Sequence, residues 1–154
     1  VRIFFFRATS YEEQDCTMAT TGSGGDHLAK KSDTSHQSKK LPKLTQVLIV
    51  EDETCDADRL RATLRVILGY DLVVRRASTL GAALDCVIAQ QPELVFLDDL
   101  LKPSDTASHT IPFLRRANYN GPIVVVSGQV TRARRAELIA LGARDVIHKD
   151  DVDS

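Results

Sequence analysis

Four short apolar runs along the chain each end in a side chain that can do chemistry. QVLIV (46–50) leads into Glu51, Asp52 and Glu53, and ELVFL (93–97) leads into Asp98 and Asp99. IVVV (123–126) leads into Ser127, and RDVIH (144–148) into Lys149. Carboxylates brought close together repel unless a cation joins them. An oxygen-only donor set on a partly open site suits Mg²⁺, which keeps several waters and takes one or two carboxylates plus phosphate oxygens. A lysine and a hydroxyl beside such a metal are what a phosphoryl group requires. One carboxylate can then act as nucleophile and become an aspartyl phosphate. Metal and lysine neutralise the charge that builds on the transferring oxygens.

These groups meet only if the fold puts the ends of the runs side by side. The 46–50 run is β-branched and short, as a buried strand is. After it, Leu60, Leu64, Ile67 and Leu68 form one helical stripe, and Gly69 can close that helix. DLVVRRA (71–77) predicts a second strand, and Ser78 or Thr79 caps a helix carrying Leu80, Ala83, Leu84, Val87 and Ile88. The third strand is 93–97, followed by a loop with Lys102, Pro103 and Ser104 and a short helix around Pro112 to Ala117. NGPIVVVSG (120–128) gives a turn and a fourth strand. Thr131 caps a fourth helix through Leu141, and 144–149 is the fifth strand. Strands alternating with helices mean βαβ units: an α/β fold with a doubly wound parallel sheet and helices on both faces. In such sheets ligands lie beyond the carboxyl ends of the strands, where the four sets of groups stand.

Composition sets the outer bounds. The chain has 154 residues, room for one ordinary domain. Lys plus Arg is 20 against 21 Asp plus Glu, and a net charge of −1 argues against direct nucleic-acid binding. No apolar run reaches the length of a membrane span. Cys16, Cys55 and Cys86 lack the spacing of a disulfide framework or zinc site and read as reduced cytoplasmic thiols. Residues 17–43 are rich in Thr, Ser, Gly and Lys and too poor in apolar side chains to offset their ordering entropy. With VRIFFFRATSY ahead of them, residues 1–43 are expected to be a disordered tail or a misassigned extension, since the one methionine is Met18.

With those motifs in place, the chain resembles the receiver domain of bacterial two-component response regulators, of the single-domain type. The resemblance covers about Leu44 to Asp150. VLIVEDE (47–53), PELVFLDD (92–99), GPIVVVSG (121–128) and LGARDVIHK (141–149) carry it, in that order and at family-like spacing. It implies a flavodoxin-like five-stranded sheet and a signalling switch that turns over no external substrate. It also implies Mg²⁺ held by Glu51, Asp52, Asp98 and the backbone carbonyl of Leu100. Asp98 would accept the phosphoryl group from a histidine kinase or histidine phosphotransfer protein, Ser127 would bond a phosphoryl oxygen, and Lys149 would pair with the carboxylate. Strand alternation lets only one of Asp98 and Asp99 point into the site. The interval from Pro92 favours Asp98, whereas Pro103 would fit Asp99.

The departures from the family pattern are specific. Asp150 stands where proline usually follows the lysine, Val146 replaces an aromatic switch residue, and Lys102 stands where proline commonly follows the acceptor. Leu100 and Gln129 hold the positions that often tune hydrolysis of the phosphoryl group. Leu100 cannot orient a water, so slow self-dephosphorylation is expected. Two other readings compete: a phosphorylation-independent adaptor with a relic acidic site, and a small Mg²⁺-dependent phosphatase or nuclease, for which no general base is evident. A nucleotide hydrolase needs a Gly-Lys phosphate loop, and the chain contains no such pair. His27, His36, His109 and His148 have no zinc spacing, and Arg132, Arg134 and Arg135 read as a solvated helix face. Receivers usually have five helices. Here only DDVDS follows Lys149, so residues 44–154 are expected to form a receiver truncated before the fifth helix, with apolar sheet surface left bare.

Overall fold

The computed structural model describes residues 43–152, so the expected tail lies outside them apart from Lys43. The elements are β1 (Gln46–Val50), α1 (Thr54–Leu68), β2 (Val73–Ala77), α2 (Leu80–Ala89), β3 (Leu94–Asp98), β4 (Leu100–Leu101), β5 (Asp105–Thr106), α3 (Ala107–Arg116), β6 (Ile123–Ser127), α4 (Arg132–Ala140), β7 (Asp145–His148) and a 3-10 turn at Lys149–Asp151. β1, β2, β3, β6 and β7 form one sheet in the order β2-β1-β3-β6-β7, and every pairing is parallel. Counting sheet strands only, this is the 2-1-3-4-5 order of flavodoxin-like folds.

The two faces of the sheet follow from strand alternation. Leu48 and Val50, Val95 and Leu97, and Ile123 and Val125 point to one face. There they pack with Ala83 and Val87 of α2, Ala107, Ile111 and Leu114 of α3, and Leu138 of α4. Val47 and Ile49 point to the other, where α1 buries Ala57, Leu60 and Leu64. Of the strand side chains on this face, Ile147 of β7 is half-buried. Ile49, Phe96 and Val126 are 2%, 2% and 6% exposed, and Leu60 and Val152 line the same cleft as they do.

Helix boundaries obey the predicted caps. Thr79 and Thr131 each accept a hydrogen bond from the backbone N–H three residues on, at Ala82 and Arg134. Gly69 ends α1 at φ +111°, a region that disfavours any side chain, and its N–H donates to the carbonyl of Arg65. Two local features differ from the sequence reading. The loop after β3 contains the antiparallel pair β4–β5, and α3 begins at Ala107, several residues before Pro112. Pro112 therefore lies inside a helix, which costs a backbone hydrogen bond. Burial of Ala107, Thr110, Ile111 and Leu114 along one face outweighs that loss.

Candidate functional site

The parallel register brings the four chemically competent strand ends to one edge. Val50 pairs with Leu97, Asp98 with Val126, and Ser127 with His148, so Glu51, Asp52, Asp98, Ser127 and Lys149 all fall at the carboxyl end of the sheet. One carboxylate oxygen each from Glu51, Asp52 and Asp98 lies within 4.8 Å of the others. Glu51 is 5% exposed and Asp98 8%.

Lys149 binds this cluster from the far side. Its Nζ lies 2.9 Å from Glu51 Oε2, 2.8 Å from Asp56 Oδ2 and 3.3 Å from Asp98 Oδ1. Burial lowers the affinity of this ammonium for its proton, but the hydrogen bonds to Asp56 and Glu51 and the charge of Asp98 outweigh that and hold it above the ordinary lysine range. The expected pairing of Lys149 with Asp98 is present, though its two shorter contacts go to Glu51 and Asp56. Asp56 was missed because an acid in the first turn of a helix reads as a partner of the helix dipole.

One lysine does not balance four carboxylates. Burial, and then the charge of Glu51, push the Asp98 carboxyl up to about 7, against the pull of Lys149. Hard oxygen donors with unbalanced negative charge fit a divalent cation. The cluster of Glu51, Asp52 and Asp98 can therefore coordinate one.

Two cations that the sequence reading did not place at the site border the cluster. Arg76, at the end of β2, donates from Nε to the Glu51 carbonyl (3.1 Å), from Nη2 to the Asp52 carbonyl (2.9 Å) and from Nη1 to Thr54 Oγ1 (3.2 Å). It thus clamps the backbone from which two carboxylates project. Its signal in the sequence was only an arginine in an edge strand. Lys102 pairs with Glu53 and lies 3.7 Å from Asp52 Oδ2.

Asp98 and Asp99 diverge, as alternation requires. Asp98 turns to Glu51 and Lys149. Asp99 turns to Arg134, whose Nη2 and Nε donate to its two oxygens at 2.5 and 3.3 Å. Ser127, expected beside the acceptor, has its Oγ 3.2 Å from Asp99 Oδ2 and 3.0 Å from the Gln129 carbonyl, two alternative acceptors for one proton. Arg134 also donates from Nη1 to Ser108 Oγ (2.6 Å) and Glu137 Oε2 (2.9 Å). The solvated-face reading of the α4 arginines is corrected for Arg134, whose side chain is only 23% exposed. Arg132 and Arg135 are exposed as expected, though Arg135 also bonds the Val146 carbonyl and Asp145. The spacing along α4 gave no hint of the Asp99 and Ser108 contacts, because those partners lie after β3 and on α3. His148 accepts from the Asp150 N–H and caps the 3-10 turn. Leu100 is 60% exposed at the start of β4.

Among the described residues no helix is long and apolar enough to cross a membrane. No curated protein matches the sequence significantly. Solved structures do match. The signal receiver domain of a DNA-binding response regulator from Colwellia psychrerythraea 34H is 25% identical, with a TM-score of 0.61 over 69% of this chain and 86% of that one. A putative response regulator from Chloroflexus aurantiacus J-10-fl is 23% identical, with a TM-score of 0.60 over 71% and 92%. A Burkholderia pseudomallei response regulator, solved with a phosphorylated aspartic acid, calcium ion and citrate, is 23% identical, with a TM-score of 0.59 over 68% and 59%. The family model for the response regulator receiver domain matches residues 47–153. A parallel 2-1-3-4-5 sheet with an acidic cluster at its carboxyl edge is what that match requires, and the chain belongs to the receiver domain family of bacterial two-component signalling, whose members act on an aspartate of their own and not on an external substrate.

Proposed function

We propose that Asp98 is the phosphoryl acceptor of a phosphorelay switch, with Mg²⁺ held by Glu51, Asp52, Asp98 and the carbonyl of Leu100. The observation that carries this is the burial of Asp98 between Glu51 and Lys149, with Lys149 Nζ 3.3 Å from its Oδ1. The donor is the phosphohistidine of a histidine kinase or histidine phosphotransfer protein. An oxygen of the Asp98 carboxylate attacks phosphorus, a P–O bond forms, the P–N bond breaks, and the imidazole leaves with a proton taken from solvent. Bound Mg²⁺ supplies charge neutralisation at the transferring oxygens and favours the ionised form of Asp98. Lys149 holds the acceptor carboxylate in place and balances the negative charge added to it. Ser127 exchanges its present acceptor for a phosphoryl oxygen. Asp99, turned away to Arg134, does not compete as nucleophile. The free thiols Cys55 and Cys86 suit a cytoplasmic setting.

Incubation with Mg²⁺ and acetyl phosphate, read by intact mass, tests this. The wild type and Asp99→Asn should each gain one phosphoryl group, and Asp98→Asn none. An unmodified wild type would leave the phosphorylation-independent adaptor, and loss in the Asp99 variant alone would move the acceptor.

A further inference from the structure

The aspartate beside the acceptor poses an electrostatic problem. Asp99 Oδ2 lies 3.2 Å from Ser127 Oγ. Any phosphoryl oxygen hydrogen-bonded to that same hydroxyl lies within about 6 Å of the Asp99 carboxylate. A bare carboxylate there repels an incoming phosphoryl group, and it also competes for the single Ser127 proton. The structure answers with Arg134. Its guanidinium takes both oxygens of Asp99 in a fork, and the two side chains are only 23% and 17% exposed. Ser108 Oγ and Glu137 Oε2 occupy its remaining nitrogen and fix the fork's direction. The hydrogen bond to Asp99 is first among the causes that hold the Arg134 guanidinium above its ordinary range.

We propose that Arg134 is a positioning residue of the phosphoryl site: by neutralising Asp99 it removes the repulsion at the acceptor and frees the Ser127 hydroxyl for a phosphoryl oxygen. Arg134 acts through Asp99 and touches neither Asp98 nor the phosphoryl group. The inference rests on Asp98 as acceptor and deepens that reading. It assigns a role to the second aspartate and to a helix arginine that lies 36 residues beyond the acceptor in sequence.

The decisive feature is charge, so the test is rescue. Phosphorylation of the full chain by acetyl phosphate with Mg²⁺ is timed in wild type, Arg134→Gln, Asp99→Asn and the double variant. Arg134→Gln should be about tenfold slower, as one uncompensated charge about 6 Å away implies at high effective dielectric. Asp99→Asn in the same chain should restore most of the rate, because it removes the charge that Arg134 was needed to neutralise. A role confined to holding the helix would not be rescued by deleting the arginine's own partner. A normal rate in Arg134→Gln, or a double variant as slow as the single, overturns the proposal. Melting temperatures of the same four proteins report the pair itself. If the wild type takes no phosphoryl group while the melting cycle still shows coupling between Asp99 and Arg134, the pair stands and the acceptor reading falls, together with the role given to Arg134 there.

Discussion

Replacing Asp98 by asparagine should stabilise the protein, and the gain should depend on pH. Asp98 is 8% exposed, and burial with the charge of Glu51 pushes its carboxyl up to about 7 from the 3.8 of a free aspartate side chain. Between those pH values the folded chain holds a proton that the unfolded chain does not. Folding stability therefore falls as pH rises through this window, and the whole penalty is in force above pH 7. A difference of about three pH units corresponds to a ceiling of about 4 kcal/mol. The pull of Lys149 is already part of that balance, and in the asparagine variant the ammonium keeps Glu51 and Asp56 at 2.9 and 2.8 Å. Solvent screening at the edge of the sheet about halves the ceiling and leaves a net gain of about 2 kcal/mol at pH 8. For a domain of this size the gain is worth about 8 °C in melting temperature. Thermal melts followed by circular dichroism, with a chelator present, should show that gap at pH 8 and show it nearly closed at pH 4. Adding Mg²⁺ should raise the wild type more than the variant, because the variant lacks one of the three clustered carboxylates. A gap that is the same at both pH values, or an asparagine variant that melts lower at pH 8, would refute the reasoning.

Three further outcomes follow from neighbouring residues. Arg76→Ala should weaken Mg²⁺ binding about tenfold, since the clamp on the Glu51 and Asp52 carbonyls acts as an outer-shell support; unchanged affinity in a metal titration would contradict it. Lys102→Met should strengthen Mg²⁺ binding about threefold at low salt, an effect that fades as ionic strength rises, because the ammonium 3.7 Å from Asp52 competes with the dication. The phosphorylated protein should hydrolyse slowly, because exposed Leu100 cannot orient a water; a lifetime of seconds with Mg²⁺ present would count against this.

The fold was readable where apolar periodicity and caps agreed. All five sheet strands, four helices and the cap at Thr131 could be placed from sequence, and the second helix's cap was narrowed to Ser78 or Thr79, of which the fold uses Thr79. The β4–β5 pair was not, because two-residue strands carry no periodicity. The early start of α3 was hidden by Pro112, which normally marks the first turn of a helix and here sits inside one. In the site, side chains that directly follow strands were legible, since register alone brings Glu51, Asp52, Asp98, Ser127 and Lys149 to one edge. The long cations were not. Arg76, Lys102 and Arg134 reach their partners across 24, 50 and 35 residues of sequence, distances over which no local pattern speaks. Alternation separated Asp98 from Asp99, and the geometry then showed what Asp99 does instead: it pairs with Arg134, 3.2 Å from the Ser127 hydroxyl.

The most direct test of the central claim is to locate the phosphoryl group in the wild-type chain. Phosphorylated protein is reduced with borohydride, which converts an aspartyl phosphate to homoserine, and the peptide containing residues 92–102 is sequenced by mass spectrometry. Conversion is expected at Asp98 and not at Asp99. Conversion at Asp99, or at neither aspartate in a chain incubated with Mg²⁺ and acetyl phosphate, would contradict it.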